Sequence, residues 1–295
     1  MHLFLLVQIF VYTIISFTLF LAGIALPHYG RYMHSVMLYK LSDKAIEQFI
    51  TEGFVRIDDA FSSVLAKEIV DRLWNDIPFE KSDPGTWTEP VVRLGMYALE
   101  PFVASVNTPK LHAAFNQLTG FNKWLPCRSV GTFPVRFPSG KQPDDTGRHV
   151  DTSFPGSNPN DYFSWRSNVR SKGRALLMLA LYSDVGPNDA PTVIYKGSHI
   201  DVAKLLHPAG EAGLTFMEIA DRLDELPERE PAYATGKAGT VYLCHPFLVH
   251  AAQAHKGSTP RFMAQPPLLS PHEFTIEGSE TGHSPVEQAI RLGLE

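Results

Sequence analysis

Gly147-Arg148-His149-Val150-Asp151-Thr152 is the stretch around which the 295-residue chain is organised. In an extended segment side chains alternate, so His149 and Asp151 fall on one face. An imidazole and a carboxylate on one face are two of the three protein ligands of an open, facial metal site. A lone HxD tripeptide arises by chance in many chains, so the rest of the sequence has to supply the third ligand.

The candidate lies about a hundred residues downstream. Gly239 to His250 reads as a strand, a turn at Pro246 and a second strand, with His250 near its end. Eleven residues on, Arg261 opens the apolar segment Phe262-Met263-Ala264. Two adjacent antiparallel strands would carry His250 and Arg261 into one interior. A guanidinium there requires an anionic partner, because an unpaired buried charge is costly. Its fork matches a carboxylate, and a dicarboxylate co-substrate meets the need. Taken singly, His250 also reads as a satisfied core histidine and Arg261 as a surface ion-pair partner. With His149 and Asp151 they complete a 2-His-1-carboxylate set, which leaves positions open on a ferrous ion.

Composition narrows the class. The chain is 44% hydrophobic and 11% aromatic, enough for a sizeable core, and its formal charge of −5 with no Lys/Arg cluster argues against a nucleic-acid partner. Its 23 prolines and 21 glycines are spread along the length, as suits a loop-rich β protein. Cys127 and Cys244 have no disulfide or metal-type spacing and read as small buried hydrophobes.

The first 32 residues form a separate segment. Leu3 to Leu26 carries no charged residue and is long enough as a helix to span a bilayer. A membrane anchor and a misassigned start, with the protein beginning at Met33 or Met37, fit equally. A signal peptide fits less well, because no Lys or Arg precedes the run. Arg31 and Lys40 follow it, which would place an anchored catalytic domain in the cytoplasm.

Residues 33–295 read as one domain. Ser42 caps a helix closed by Gly53, Phe54–Asp58 alternates as a strand, and Ser63 to about Asp76 and Pro109–Leu118 are further helices. Strand-like stretches follow at Arg128–Phe137, Arg148–Phe154, Arg174–Ser183, Pro191–Tyr195, Thr240–Cys244, Phe247–Ala252 and Arg261–Gln265. Helices at Ile200–Leu206 and Phe216–Leu226 interrupt them, and Ser284-Pro285-Val286-Glu287 is a capping box opening a last helix. The order predicts a mainly β fold with peripheral helices, a sandwich or jelly roll.

The HxD pair, the distal His and an Arg eleven positions later resemble the phytanoyl-CoA dioxygenase type of Fe(II)/2-oxoglutarate oxygenase. The resemblance extends over nearly all of Met37–Leu269. Gly53-Phe54-Val55-Arg56-Ile57 looks like that family's first strand, Ala190-Pro191-Thr192-Val193-Ile194-Tyr195-Lys196-Gly197-Ser198-His199 like its strand ending in GSH, and His245-Pro246-Phe247-Leu248-Val249-His250 like the pair delivering the distal ligand. It implies a double-stranded β-helix (jelly roll, cupin-like), His149, Asp151 and His250 as iron ligands, and Arg261 on the distal carboxylate of 2-oxoglutarate. It further implies Trp165 as an aromatic near the co-substrate and Arg93 as a second basic group, with a core Trp and a surface Arg as the plainer readings. Ala252 departs from the family's small hydroxyl or Gly at that position. Asp151 favours hydroxylation, since the related halogenases have Gly or Ala there.

The implied activity consumes Fe(II), 2-oxoglutarate and O2, releases succinate and CO2, and hydroxylates a small-molecule or lipid-like substrate. The rival readings are a metal-binding protein without redox activity and a cupin-type enzyme that needs no 2-oxoglutarate. His245 and His255 compete weakly as ligands, His199 reads as a cavity-mouth residue or a loop or helix cap, and Asp144-Asp145 reads as a solvated turn. Phe154–Asn168 and Ile200–Pro231 are the expected lid. Neither substrate nor oligomeric state is written in the sequence.

Overall fold

The computed structural model describes residues 39–278 and 282–295. The apolar run Leu3–Leu26 and the anchor or start-site reading placed on it lie outside them. Among the described residues no helix is long and apolar enough to cross a membrane.

In chain order the elements are α1 (Asp43–Glu52), β1 (Phe54–Ile57), α2 (Ser63–Leu73), β2 (Val91–Leu94), α3 (Glu100–Val106), α4 (Pro109–Thr119), β3 (Phe133–Arg136), β4 (Arg166–Ser167), β5 (Arg174–Leu181), β6 (Val193–Tyr195), α5 (Ser198–Leu206), β7 (Leu214–Thr215), α6 (Phe216–Ala220), β8 (Pro231–Tyr233), β9 (Val241–Cys244), β10 (His250–Ala251), β11 (Met263–Ala264), β12 (Pro267–Leu269) and α7 (Pro285–Leu292). The helices start where the sequence offers caps. The Ser42 hydroxyl accepts from Ala45 N and the Ser62 hydroxyl from Leu65 N, while Ser284 and Glu287 exchange both bonds of a capping box. Gly53 ends α1 at φ 88°, a left-handed conformation that glycine adopts without steric cost.

Two antiparallel sheets dominate. The larger runs β1-β9-β5-β11, with β12 also pairing with β5, and the smaller runs β10-β6-β8. All eight residues of β5 are buried, which explains the unbroken apolar run Ala-Leu-Leu-Met-Leu-Ala-Leu that follows Arg174: a central strand covered on both faces has no solvent-facing side to make polar. Leu177, Leu179 and Leu181 of β5 meet Phe54, Tyr242, Cys244, Ile194, Leu248 and Met263 in the core between the sheets. Each such side chain contributes about 1.5–3 kcal/mol by leaving water. α1 packs on β1 and on α7 at the periphery.

The expected strands at Arg148–Phe154 and Phe247–Ala252 are shorter than their apolar runs. The first makes only isolated bridges, His149 with His250 and Phe154 with Arg166. In the second, Leu248 N bonds back to His245 O in a turn, leaving the two residues of β10. His250 and Arg261 do not ride on adjacent paired strands. β10 belongs to the smaller sheet, whereas Arg261 just precedes β11 of the larger one.

Candidate metal and anion site

His149 and His250 lie face to face through a two-way backbone bridge, His149 N to His250 O and the reverse, both 3.0 Å. Their ring centroids are 4.3 Å apart. Each ring is oriented by a carbonyl two residues earlier: Nδ1 of His149 lies 2.9 Å from Gly147 O, and Nδ1 of His250 3.1 Å from Leu248 O. A carbonyl only accepts, so Nδ1 of each ring points its proton at the carbonyl, and Nε2 is the nitrogen left to face the ligand spot. The Nε2 of His250 is buried without a partner. Asp151, two residues after His149, brings its carboxylate to the same spot, and the three ligand atoms lie within 4.8 Å of one another. A polar nitrogen left bare in the interior is costly unless something binds it, and two imidazole nitrogens with a carboxylate oxygen are the donor set a divalent cation fits.

Asp151 is held from two sides. The Arg174 guanidinium donates to one oxygen at 3.2 Å and also to Thr152 O at 2.9 Å, while the Tyr162 hydroxyl donates to the other at 3.2 Å. Burial alone would raise the pKa of Asp151, but Arg174, the two histidines and Tyr162 outweigh it and hold it at about 2. Burial, helped by His149, pushes His250 down to about 4, so its ring is neutral and its lone pair free at neutral pH.

Next to these ligands is a cavity of about 190 Å³ lined by His149, His250, Arg93, Arg136, Asp145 and Arg261, with Thr192 and Gln265 on its wall. Arg261 is 1% exposed. Its terminal nitrogens donate to the carbonyls of Ala190 and Pro134, and its Nε has no partner. Three arginines of the described chain are buried. Arg136 is paired with Asp145 and Arg174 with Asp151, whereas Arg261 has no carboxylate partner among the described residues. Burial and the nearby Arg136 lower its pKa to about 9, with Asp145 acting in the opposite sense.

The structure thus gathers His149, Asp151, His250, Arg261 and Arg93 in one place. Trp165 stands apart from the cavity lining: its Nε1 donates to Pro159 O at 2.9 Å and its ring leans on Tyr162 at 6.0 Å. Ala252, where the sequence departs from the resembled family, lines the cavity. Asp145 is no solvated turn residue, because Arg136 and Arg93 both bind it. His199 and His245 are buried against each other, 4.8 Å between centroids, and are not part of the ligand group. His255 is used within its own loop, on Thr259 O and Gly257 N. Sequence reasoning missed Arg136 and Arg174. A basic residue closing one buried strand and opening another was the available signal, since a charge there demands a counter-ion.

No family model and no curated protein matches the chain. Solved structures do. The epimerase SnoN, described in complex with Fe3+, alpha-ketoglutarate and nogalamycin RO, matches at a TM-score of 0.52 and 16% identity, over 82% of this chain and 92% of SnoN. EctD from S. alaskensis in its apoform matches at 0.51 and 19%, over 79% and 78%. A putative oxidoreductase from Salmonella typhimurium LT2 matches at 0.53 and 11%, over 80% and 72%. At these identities the likeness is one of fold.

Proposed function

We propose that the chain is an Fe(II)- and 2-oxoglutarate-dependent oxygenase with a double-stranded β-helix (jelly-roll) domain over residues 33–295. The carrying observation is that two of the three converging ligand residues, His149 and His250, line the same cavity as the one buried arginine without a carboxylate partner among the described residues, with the Asp151 ligand atom within 4.8 Å of theirs. A dianion that chelates a metal at one end and needs a counter-charge at the other satisfies both groups at once. The fold shared with SnoN, whose structure holds iron and alpha-ketoglutarate, supports the reading.

In this reading His149, Asp151 and His250 hold Fe(II), which supplies Lewis acidity and one-electron chemistry toward O2 when bound. The two Nδ1–H groups donate to backbone carbonyls and keep both Nε2 atoms aimed inward. Arg174 and Tyr162 hold the Asp151 carboxylate in place and keep it ionised. Arg261 holds the distal carboxylate of 2-oxoglutarate by a charge-assisted pair, and its burial excludes competing water. The co-substrate leaves as succinate and CO2 while a C–H bond of a small-molecule or lipid-like substrate is hydroxylated. Asp151 occupies the position that the resembled halogenases leave empty, which favours hydroxylation. The phytanoyl-CoA dioxygenase type remains the family whose residue pattern this chain resembles.

The test is an anaerobic titration of Fe(II) and 2-oxoglutarate, followed by the weak visible charge-transfer band of the chelate. The band appears in the wild type and is lost in Asp151→Ala. Iron binding without a band points to a metal protein that does not use 2-oxoglutarate, and no iron binding points to a non-catalytic fold.

A further inference from the structure

Arg136 and Arg261 stand opposite each other across a backbone bridge, Arg136 N to Arg261 O at 3.1 Å and the reverse at 2.9 Å. Directly opposed residues project to the same side, and both line the cavity. Both are buried, and each keeps a buried Nε without a partner. Two guanidiniums so placed repel, and Arg136 is one of the causes that lower the pKa of Arg261. The pair is resolved asymmetrically. Arg136 donates to both oxygens of Asp145 at 2.7 Å. Arg93 reaches Asp145 at 2.9 Å and Asp144 at 2.6 Å. Asp144 and Asp145 therefore match Arg93 and Arg136 in charge, and Arg261 is left over.

We infer that Asp145 is a built-in counter-ion of the anion cavity and sets its affinity for the dicarboxylate, leaving Arg261 as the one guanidinium that reads the incoming distal carboxylate. The inference rests on the 2-oxoglutarate reading above and names the residue that regulates that site. Its chemical logic lies in the co-product. Succinate keeps the distal carboxylate of 2-oxoglutarate, while C1 has left as CO2 and the former keto carbon has become a carboxylate, so the keto–carboxylate chelate is gone. Any strengthening of the distal grip is shared by co-substrate and product alike. A carboxylate placed permanently against Arg136 keeps that grip moderate, so succinate leaves. Asp145 touches neither the ligand triad nor Arg261 through a hydrogen bond; it acts as a specificity-determining charge through Arg136.

The experiment measures dissociation constants of 2-oxoglutarate, succinate and 2-oxobutyrate on the anaerobic Fe(II)-loaded full chain at low ionic strength. The variants are Asp145→Asn, Arg136→Gln and the double variant. Loss of one buried charge near the bound carboxylate shifts affinity about tenfold at the effective dielectric of such sites. Asp145→Asn should therefore tighten both 2-oxoglutarate and succinate by about that factor, Arg136→Gln should weaken both, and the double variant should return close to wild type. 2-Oxobutyrate has no distal carboxylate and should be indifferent to all three changes. A structural role for the pair would instead weaken every ligand in both single variants. If Asp145→Asn does not fold, the double variant against Arg136→Gln makes the same comparison, and tighter binding in the double supports the inference. Unchanged or weaker 2-oxoglutarate binding on removal of Asp145, or an equal change for 2-oxobutyrate, overturns it. A wild type that holds Fe(II) but binds no 2-oxoglutarate overturns the proposed function instead.

Discussion

Lowering the pH should destabilise this fold before any carboxylate titrates, and the cause is three buried neutral histidines. His199, His245 and His250 are almost fully enclosed. Burial pushes His199 and His250 down to about 4 and His245 well below its ordinary value. An unfolded histidine titrates near 6.5. Between about pH 4 and 6.5 the unfolded chain therefore binds more protons than the folded one, and stability falls as the pH falls through that window. Going from pH 7.5 to 5.5, His199 and His250 each cost about 1 kcal/mol and His245 adds a cost of the same sign, a sizeable part of a typical domain's 5–15 kcal/mol. The half-buried His112 and His255 shift in the same direction. Urea unfolding of the metal-free protein at the two pH values, with chelator present, reads the difference. His199→Gln isolates one contribution. His199 donates its Nε2–H to Ile50 O, its Nδ1 has no partner, and it lies outside the ligand group. The variant should lose absolute stability at both pH values, yet its difference between them should shrink by about 1 kcal/mol. An undiminished difference in His199→Gln would refute the reasoning.

Three further outcomes follow from particular contacts. Arg261→Met keeps the length of the side chain but removes its charge and donors; 2-oxoglutarate affinity should fall by about a hundredfold or more, the worth of two charge-assisted hydrogen bonds, with Fe(II) affinity little changed in the same calorimetric titration. Gly53→Ala places a methyl 2.5 Å from His199 Nδ1 and 2.6 Å from Leu248 Cδ1 at a φ of +88°, and should cost about 2 kcal/mol or more in chemical denaturation. Ser284→Ala removes one half of the capping box on α7 and should cost about 1 kcal/mol without touching Fe(II) binding.

What could be read beforehand was whatever has a local cause. Ser42, Ser284 and Gly53 mark helix ends because capping is settled within four residues. β5 announced itself as a run of apolar residues. α3 escaped notice because Leu99 stands at its N-cap with no side-chain bond, leaving only the weaker first-turn signals of Glu100 and Pro101. The 148–154 segment was over-read as a strand because its period-2 pattern serves two single bridges rather than a ladder. At the site, His149, Asp151, His250 and Arg261 were visible through residue type and spacing. Arg174 and Arg136 were not, because each acquires meaning only from a carboxylate that folding brings to it. The cavity's charge balance, with Asp145 serving Arg136 and Arg93 at once, is a property of three remote segments meeting.

The two histidines that face the ligand spot are each steered by the main-chain carbonyl two positions before them, Gly147 O and Leu248 O. Every residue type carries that carbonyl, so the side chains at 147 and 248 are free of the task. The alignment of both rings is inherited through the path of the backbone. Substitution at either position would leave both carbonyls, and so the aim of the two rings, in place as long as the main chain keeps its course.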